Sequence, residues 1–145
     1  MPPMLSVVAV GTDGSATASK AVEAAAEIAR RFGAKLVLLS AAQRSRDPAA
    51  GLAESSEESQ WAFNKSARVR TMLDWTEQHL RDRNIDCTTL LDEGDAADVL
   101  VRLAEECDAD LLVIGNRGMH RRVLGSVPNT VTHKARCSVY VVKTT

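Results

Sequence analysis

"VVAVGTDGS", Val7 to Ser15, decides how the rest of the chain reads. Leu5 to Gly11 is a continuous apolar run with no polar alternation, the pattern of a parallel strand covered on both faces. It ends in two glycines, Gly11 and Gly14, with Thr12 and Asp13 between them. These suit a tight turn into a helix, because glycine accepts positive φ and close backbone approach. The following "SATASKAVEAAAEIARRFG" repeats Ala21, Val22, Ala25, Ile28, Ala29 and Phe32 at helical spacing. Ser15 or Thr17 is positioned to cap its start, and Gly33 stands where helices stop.

The same alternation continues outward. "KLVLLSA", Lys35 to Ala41, is a second buried strand. Residues 42–59 lack periodicity and read as a loop. A long helix is expected over Gln60 to Arg83, then a strand in "IDCTTLLD" and a turn at Gly94. A helix follows in "DAADVLVRLAEECDA", with Val99, Leu100, Leu103, Ala104 and Cys107 on one face. "DLLVIG" is a fourth strand, "SVPNTVTHKA" a short helix with Ser126 as expected N-cap and Pro128 in its first turn, and "CSVYVVK" a fifth strand. This order predicts an α/β fold: one domain over 1–145, a doubly wound five-stranded parallel sheet with helices on both faces, Rossmann-like.

Composition narrows the function. A chain of 145 residues, 45% hydrophobic and 26% charged, reads as globular. Its net charge of −1 gives no electrostatic case for a nucleic-acid or membrane partner, and at 3% aromatic it lacks base-stacking platforms. The start, "MPPMLSVVAV", has no basic segment ahead of a long apolar one, so a cytoplasmic protein is expected. Cys87, Cys107 and Cys137 are odd in number and far apart, which fits reduced thiols better than a disulfide framework or zinc site.

In doubly wound sheets, ligands sit beyond the carboxyl ends of the strands. Asp13, past the first strand, is able to accept from ribose hydroxyls or an exocyclic amine, or only to close its own turn. The second strand end is "IGNRGMHRRVLGSVPNTV", Ile114 to Val131. Gly115 and Gly118 permit backbone N–H groups to face an anion, and the helix start near Gly125 and Ser126 adds donors and partial positive charge. Arg117, Arg121 and Arg122 add cations around them. These are the parts of a phosphate cradle, although "GTDG" is neither a dinucleotide fingerprint nor a Walker A loop.

The chain resembles the universal stress protein family over nearly its whole length. The resemblance rests on "VVAVGTDGS", "EGDAADVL" and "VIGNRGM…VLGSVPNTVTHKARCSVYVVKT". It implies a nucleotide-binding fold of the adenine nucleotide alpha-hydrolase-like kind, with Gly115, Gly118, Gly125 and Ser126 at phosphate and ribose. Asp13 would meet the nucleoside, and the Ala41 backbone the adenine edge. The expected nucleotide site comprises Gly11, Thr12, Asp13, Ala41, Ile114, Gly115, Asn116, Arg117, Gly118, Gly125, Ser126 and Val127. ATP or another adenine nucleotide (ADP, AMP or cyclic AMP) is the implied ligand, with Mg²⁺ a compatible companion. The family pattern is G-x2-G-x9-G-[S/T], whereas six residues, "MHRRVL", separate Gly118 from Gly125 here. A shorter loop favours a shorter nucleotide. The resemblance also implies a homodimer through the last strand, along Val139, Tyr140, Val141 and Val142.

No catalytic residue is expected. His79 reads as a solvated helix residue, His133 as a structural one near a helix C-terminus, and His120 as a phosphate contact or a solvated side chain. Trp61 and Trp75, fourteen apart, fall near one helix face and are expected to pack. The leading expectation is thus a nucleotide-binding regulatory module. A slow ATPase or phosphotransferase is the alternative, and a ligand-free dimeric interaction protein the weaker one.

Overall fold

The computed structural model describes residues 5–42, 57–116 and 124–143, with side chains in the second segment from residue 67 onward. The strands are β1 (Val7–Gly11), β2 (Lys35–Ala42), β3 (Cys87–Glu93), β4 (Leu111–Asn116) and β5 (Ser138–Lys143). The helices are α1 (Ala16–Phe32), α2 (Glu57–Asp82), α3 (Ala96–Glu106) and α4 (Ser126–Lys134). All strand pairs are parallel, and the order is β3-β2-β1-β4-β5. The expected doubly wound sheet is the one observed. Its order reverses between β1 and β4, because the chain first builds outward through β2 and β3 and then returns to the other side of β1.

Two hydrophobic layers follow from the strand pattern. Alternate residues of the inner strands point to opposite faces. Val8, Val10, Leu36, Leu38 and Val113 meet the alanine-rich stripe of α1 and Leu73 and Leu80 of α2. Ala9, Val37, Leu39, Leu112 and Ile114 meet Val99, Leu100 and Leu103 of α3 and Val131 of α4. Small residues at Ala21, Ala25 and Ala29 allow α1 to lie close on the sheet; all three are essentially inaccessible. The α1 ends are those read from the sequence. Ser15 accepts from the Ala18 N–H, and Gly33 closes the helix in the left-handed conformation at φ 66°.

Two local expectations change. The short helix begins one residue earlier than expected: Gly125, extended at φ −65° and ψ 169°, is its N-cap rather than Ser126. The Asn129 N–H donates to the Gly125 carbonyl, so the first turn closes on Gly125. Trp75 does not pack into the core. It is 68% exposed and stacks flat on His79, with ring centroids 5.2 Å apart. Leu73 and Leu80 carry the buried face of α2, and Trp75 falls on the other side. The Trp61 side chain lies outside the described residues. Among those described, no helix is long and apolar enough to cross a membrane.

Cys87 is buried, while Cys107 and Cys137 are partly covered. Burial is the first cause pushing all three thiols up from their ordinary value. The thiolate, the reactive form, is therefore scarce at neutral pH and gains population only as pH rises. Iodoacetamide at pH 8 is expected to leave Cys87 unmodified in the folded protein and to label it on unfolding in urea, as read by mass spectrometry. Labelling of Cys87 without denaturant would show that the α2–β3 packing opens.

Candidate functional site

The carboxyl ends of β1, β2 and β4 border a cleft of about 320 Å³. It lies at the reversal of strand order, where neighbouring connections leave on opposite faces of the sheet. Gly11, Thr12 and Asp13 form its centre, Ser40 and Ala41 one side, and Ile114 and Gly115 the other. Gly125, Ser126, Val127 and Pro128 bring the start of α4 to it. Residues that the sequence reading missed also line it: Thr17 and Ala18 from α1, Ser40 from β2, and Ala96 and Leu100 from α3. For Thr17 and Ala18 the signal was positional, because α1 is entered directly from the end of β1.

The β1 turn is built by short polar contacts. The Thr12 N–H donates to the Leu39 carbonyl at 2.9 Å, one last bond of the β1–β2 ladder. The Ser40 hydroxyl donates to the Thr12 carbonyl at 2.8 Å, and the Thr12 hydroxyl accepts from the Gly14 N–H. Thr12 is buried, so its hydroxyl serves the turn. Gly14 takes φ +83°, which L side chains rarely adopt. Asp13 is exposed, and its Oδ1 accepts from the Ser15 N–H at 2.9 Å. The two roles weighed for Asp13 are thus compatible: one oxygen closes the turn while the carboxylate lines the cleft. Asp13 is the one ionisable residue among the described cleft lining.

On the β2 side, geometry presents main chain. The Leu39 carbonyl points toward β1, and backbone groups alternate direction along a strand. The Ala42 carbonyl accordingly faces β3, where it accepts from the Gly94 N–H. Ala41 therefore directs its N–H and C=O toward the β1 side. β1 pairs only as far as Gly11 with Leu39, so Ala41 lies beyond it, at the cleft.

On the β4 side, two of the expected site residues also have packing or hydrogen-bonding roles. A Cβ at Gly115 would stand 3.0 Å from Thr17 Cγ2 and 3.1 Å from the Thr17 carbonyl oxygen. The missing side chain at Gly115 thus lets α1 pack closely on β4, whatever occupies the cleft. Asn116 is fully buried, and its side chain is engaged within the protein. Its Oδ1 accepts from the Gly125 N–H at 2.9 Å, joining the end of β4 to the start of α4. Ile114 is buried beneath the cleft. Ser126 is exposed and Val127 half-buried at the helix start. Arg117 and Gly118, with His120, Arg121 and Arg122, lie outside the described residues.

The helix starts differ electrostatically. α3 has its own carboxylates, Asp95 as N-cap and Asp98 in the first turn. α1 and α4, which line the cleft, have no acidic residue in their first turns. The start of α1 has the Ser15 cap and the Asp13 carboxylate beside it, whereas α4 has no side-chain cap bond, which favours an anion at its partial positive end. Among the described residues, no group of three His, Cys, Asp or Glu is arranged to hold a metal ion.

Fold and cleft together define an α/β protein with a ligand site at the switch point of a doubly wound parallel sheet. The family model of the universal stress proteins matches residues 4–143, and the chain belongs to that family. It is 35% identical over 144 residues to a universal stress protein of Mycobacterium tuberculosis, covering 95% of this chain and 96% of that one. A universal stress protein of Methanocaldococcus jannaschii is 32% identical over 149 residues, covering 94% and 81%. Among solved structures, a universal stress protein in complex with cAMP superimposes with a TM-score of 0.75 at 29% identity, covering 98% and 99%. UspA from Lactobacillus plantarum shares the fold with a TM-score of 0.81 at 23% identity, covering 95% and 97%.

Gly115→Ala tests the packing assignment. With Thr17 main chain in the way, overpacking of this kind costs about 1–3 kcal/mol. Urea unfolding of the ligand-free protein is expected to show that loss. Unchanged stability would return Gly115 to a purely ligand-facing role.

Proposed function

We propose that the chain binds an adenine nucleotide in this cleft and acts as a homodimeric regulatory module of the stress response, in the cytoplasm. The observation that carries the reading is the order of groups across the cleft. Ala41 offers main-chain donor and acceptor on the β2 side, Asp13 a carboxylate at the β1 centre, and α4 its N–H groups on the β4 side. Adjacent strands are about 4.8 Å apart, so β2 and β4 are separated by about 10 Å. That span suits a base, a ribose and a phosphate taken in turn. The apolar lining from Leu100 suits a base face. The related protein solved in complex with cAMP supports the ligand class. Any Mg²⁺ would enter on the ligand's own phosphates.

The test is direct. Mass spectrometry of nucleotide released from the denatured protein, and calorimetry with AMP, ADP and ATP, are expected to find an adenine nucleotide bound. Because the Gly118–Gly125 interval is three residues shorter than the family pattern, ATP should be favoured over AMP by less than about 2.7 kcal/mol, a hundredfold. Asp13→Asn keeps the turn-closing oxygen and removes the charge. It should weaken AMP binding by about 1–3 kcal/mol with little change in thermal stability. Equal affinity in Asp13→Asn would confine Asp13 to its turn.

The dimer rests on β5, a sheet edge that pairs only with β4 among the described strands. Val139 and Val141 are half-buried, Val142 is buried, and Tyr140 is 43% exposed. An edge whose one charge, Lys143, stands at its end is usually covered or paired, and a second copy supplies the same edge about a two-fold axis. Tyr140→Lys places like charges across that seam. Light scattering is expected to show a dimer for the unaltered chain and a monomer for Tyr140→Lys. A monomeric unaltered chain at micromolar concentration would overturn the edge-strand dimer.

A further inference from the structure

We infer that Asn116 is a positioning residue that makes the start of α4 a two-amide seat for a single phosphoryl group. The inference rests on the nucleotide reading of the cleft and adds how its phosphate end is set. Asn116 ends β4, opposite Lys143 of β5, and is fully buried. Its side-chain oxygen holds the Gly125 N–H across nine positions of chain. This bond does two things.

First, it pins the helix start to the strand end. The relative placement of Ser126 and the β1 turn then depends on a rigid sheet. Second, it removes a donor. A helix start normally presents about four N–H groups without intrahelical partners. Of the four positions Gly125 to Pro128, the Gly125 N–H is held by Asn116 and Pro128 has none, while the Asn129 N–H makes the first regular helical bond, to the Gly125 carbonyl. The amides of Ser126 and Val127 remain, beside the exposed Ser126 hydroxyl, and both residues line the cleft. Two amides and a hydroxyl match the terminal oxygens of one phosphoryl group.

The choice of amide over carboxylate at position 116 has a reason. A neutral oxygen accepts the Gly125 N–H without cancelling the positive end of α4. A carboxylate there would make the same bond and place a negative charge one hydrogen bond from the phosphate seat.

The experiment compares adenosine, which lacks the phosphate, with AMP by calorimetry. In the unaltered chain AMP should bind more tightly than adenosine. Asn116→Ala, which frees Gly125, and Asn116→Asp, which keeps the acceptor and adds charge, should bind adenosine within about twofold of the unaltered chain. Each should weaken AMP about tenfold, the order of one charge-assisted hydrogen bond. Equal loss for both ligands would mean a structural role only, and no loss for either would remove the role; both results overturn the inference.

Should either variant fail to fold, amide exchange followed by NMR in the unaltered chain decides. The Gly125 amide should exchange slowly without ligand and change little with AMP, while the Ser126 and Val127 resonances move. A fast-exchanging Gly125 amide, or one protected only by AMP, overturns the inference and leaves the nucleotide reading standing. If the unaltered chain binds neither adenosine nor AMP, the nucleotide reading fails and the phosphate seat with it.

Discussion

The structure depends on the confinement of β1. Val8 to Val10 are completely inaccessible, with β2 bonded on one side and β4 on the other and a helical layer over each face. A strand so enclosed has no free backbone edge, so its chain must leave in line. The leaving segment therefore becomes the centre of whatever lies beyond the sheet. Gly11 shows how tight that exit is: a Cβ there would meet Leu100 of α3 at 3.0 Å. Because β4 rather than a sequence neighbour pairs with β1, the connections on the two sides diverge, and the gap between them is the cleft.

The described buried polar residues all belong to that exit. Thr12, Ser40 and Asn116 stand at or just past the carboxyl ends of β1, β2 and β4. Each bonds main chain: Thr12 accepts from Gly14, Ser40 donates to Thr12, and Asn116 accepts from Gly125. Burying a polar side chain is costly unless its hydrogen bonds are made. Here the bonds fix three backbone segments whose free groups face the cleft. The side chains that set the site are thus largely distinct from those able to touch a ligand. This division suits a binding module, in which the recognising groups are main-chain donors held by a rigid frame.

At the other end of the sheet a similar device works without a ligand. The Asp110 carboxylate accepts the N–H groups of Ser6 and Val7 at 2.8 and 2.9 Å, holding the start of β1 beside the start of β4. β1 and β4 are therefore tied by a side chain at their amino ends, and their register is set from outside the ladder as well as within it.

The element order was legible because each pattern is local. Unbroken apolar runs mark buried parallel strands, the alanine-rich stripe marks α1, and Ser15 and Gly33 mark its ends through chemistry within a few residues. The class of ligand site was legible too, since glycines and a helix start after a central strand end have few other uses. What sequence spacing did not reveal was the division of labour within the site. That Gly115 also gives room to Thr17, and that Asn116 is buried and bonded to Gly125, appears only in the folded chain. Trp75 shares a helix face with Trp61 on spacing alone, yet the sheet takes Leu73 and Leu80 instead. Local chemistry determined the elements and where they end. Only tertiary structure decided which strand would pair with β1, and so which side chains hold the cleft and which face it. Those roles depend on contacts between segments from nine to about a hundred residues apart, and spacing along a chain carries no record of them.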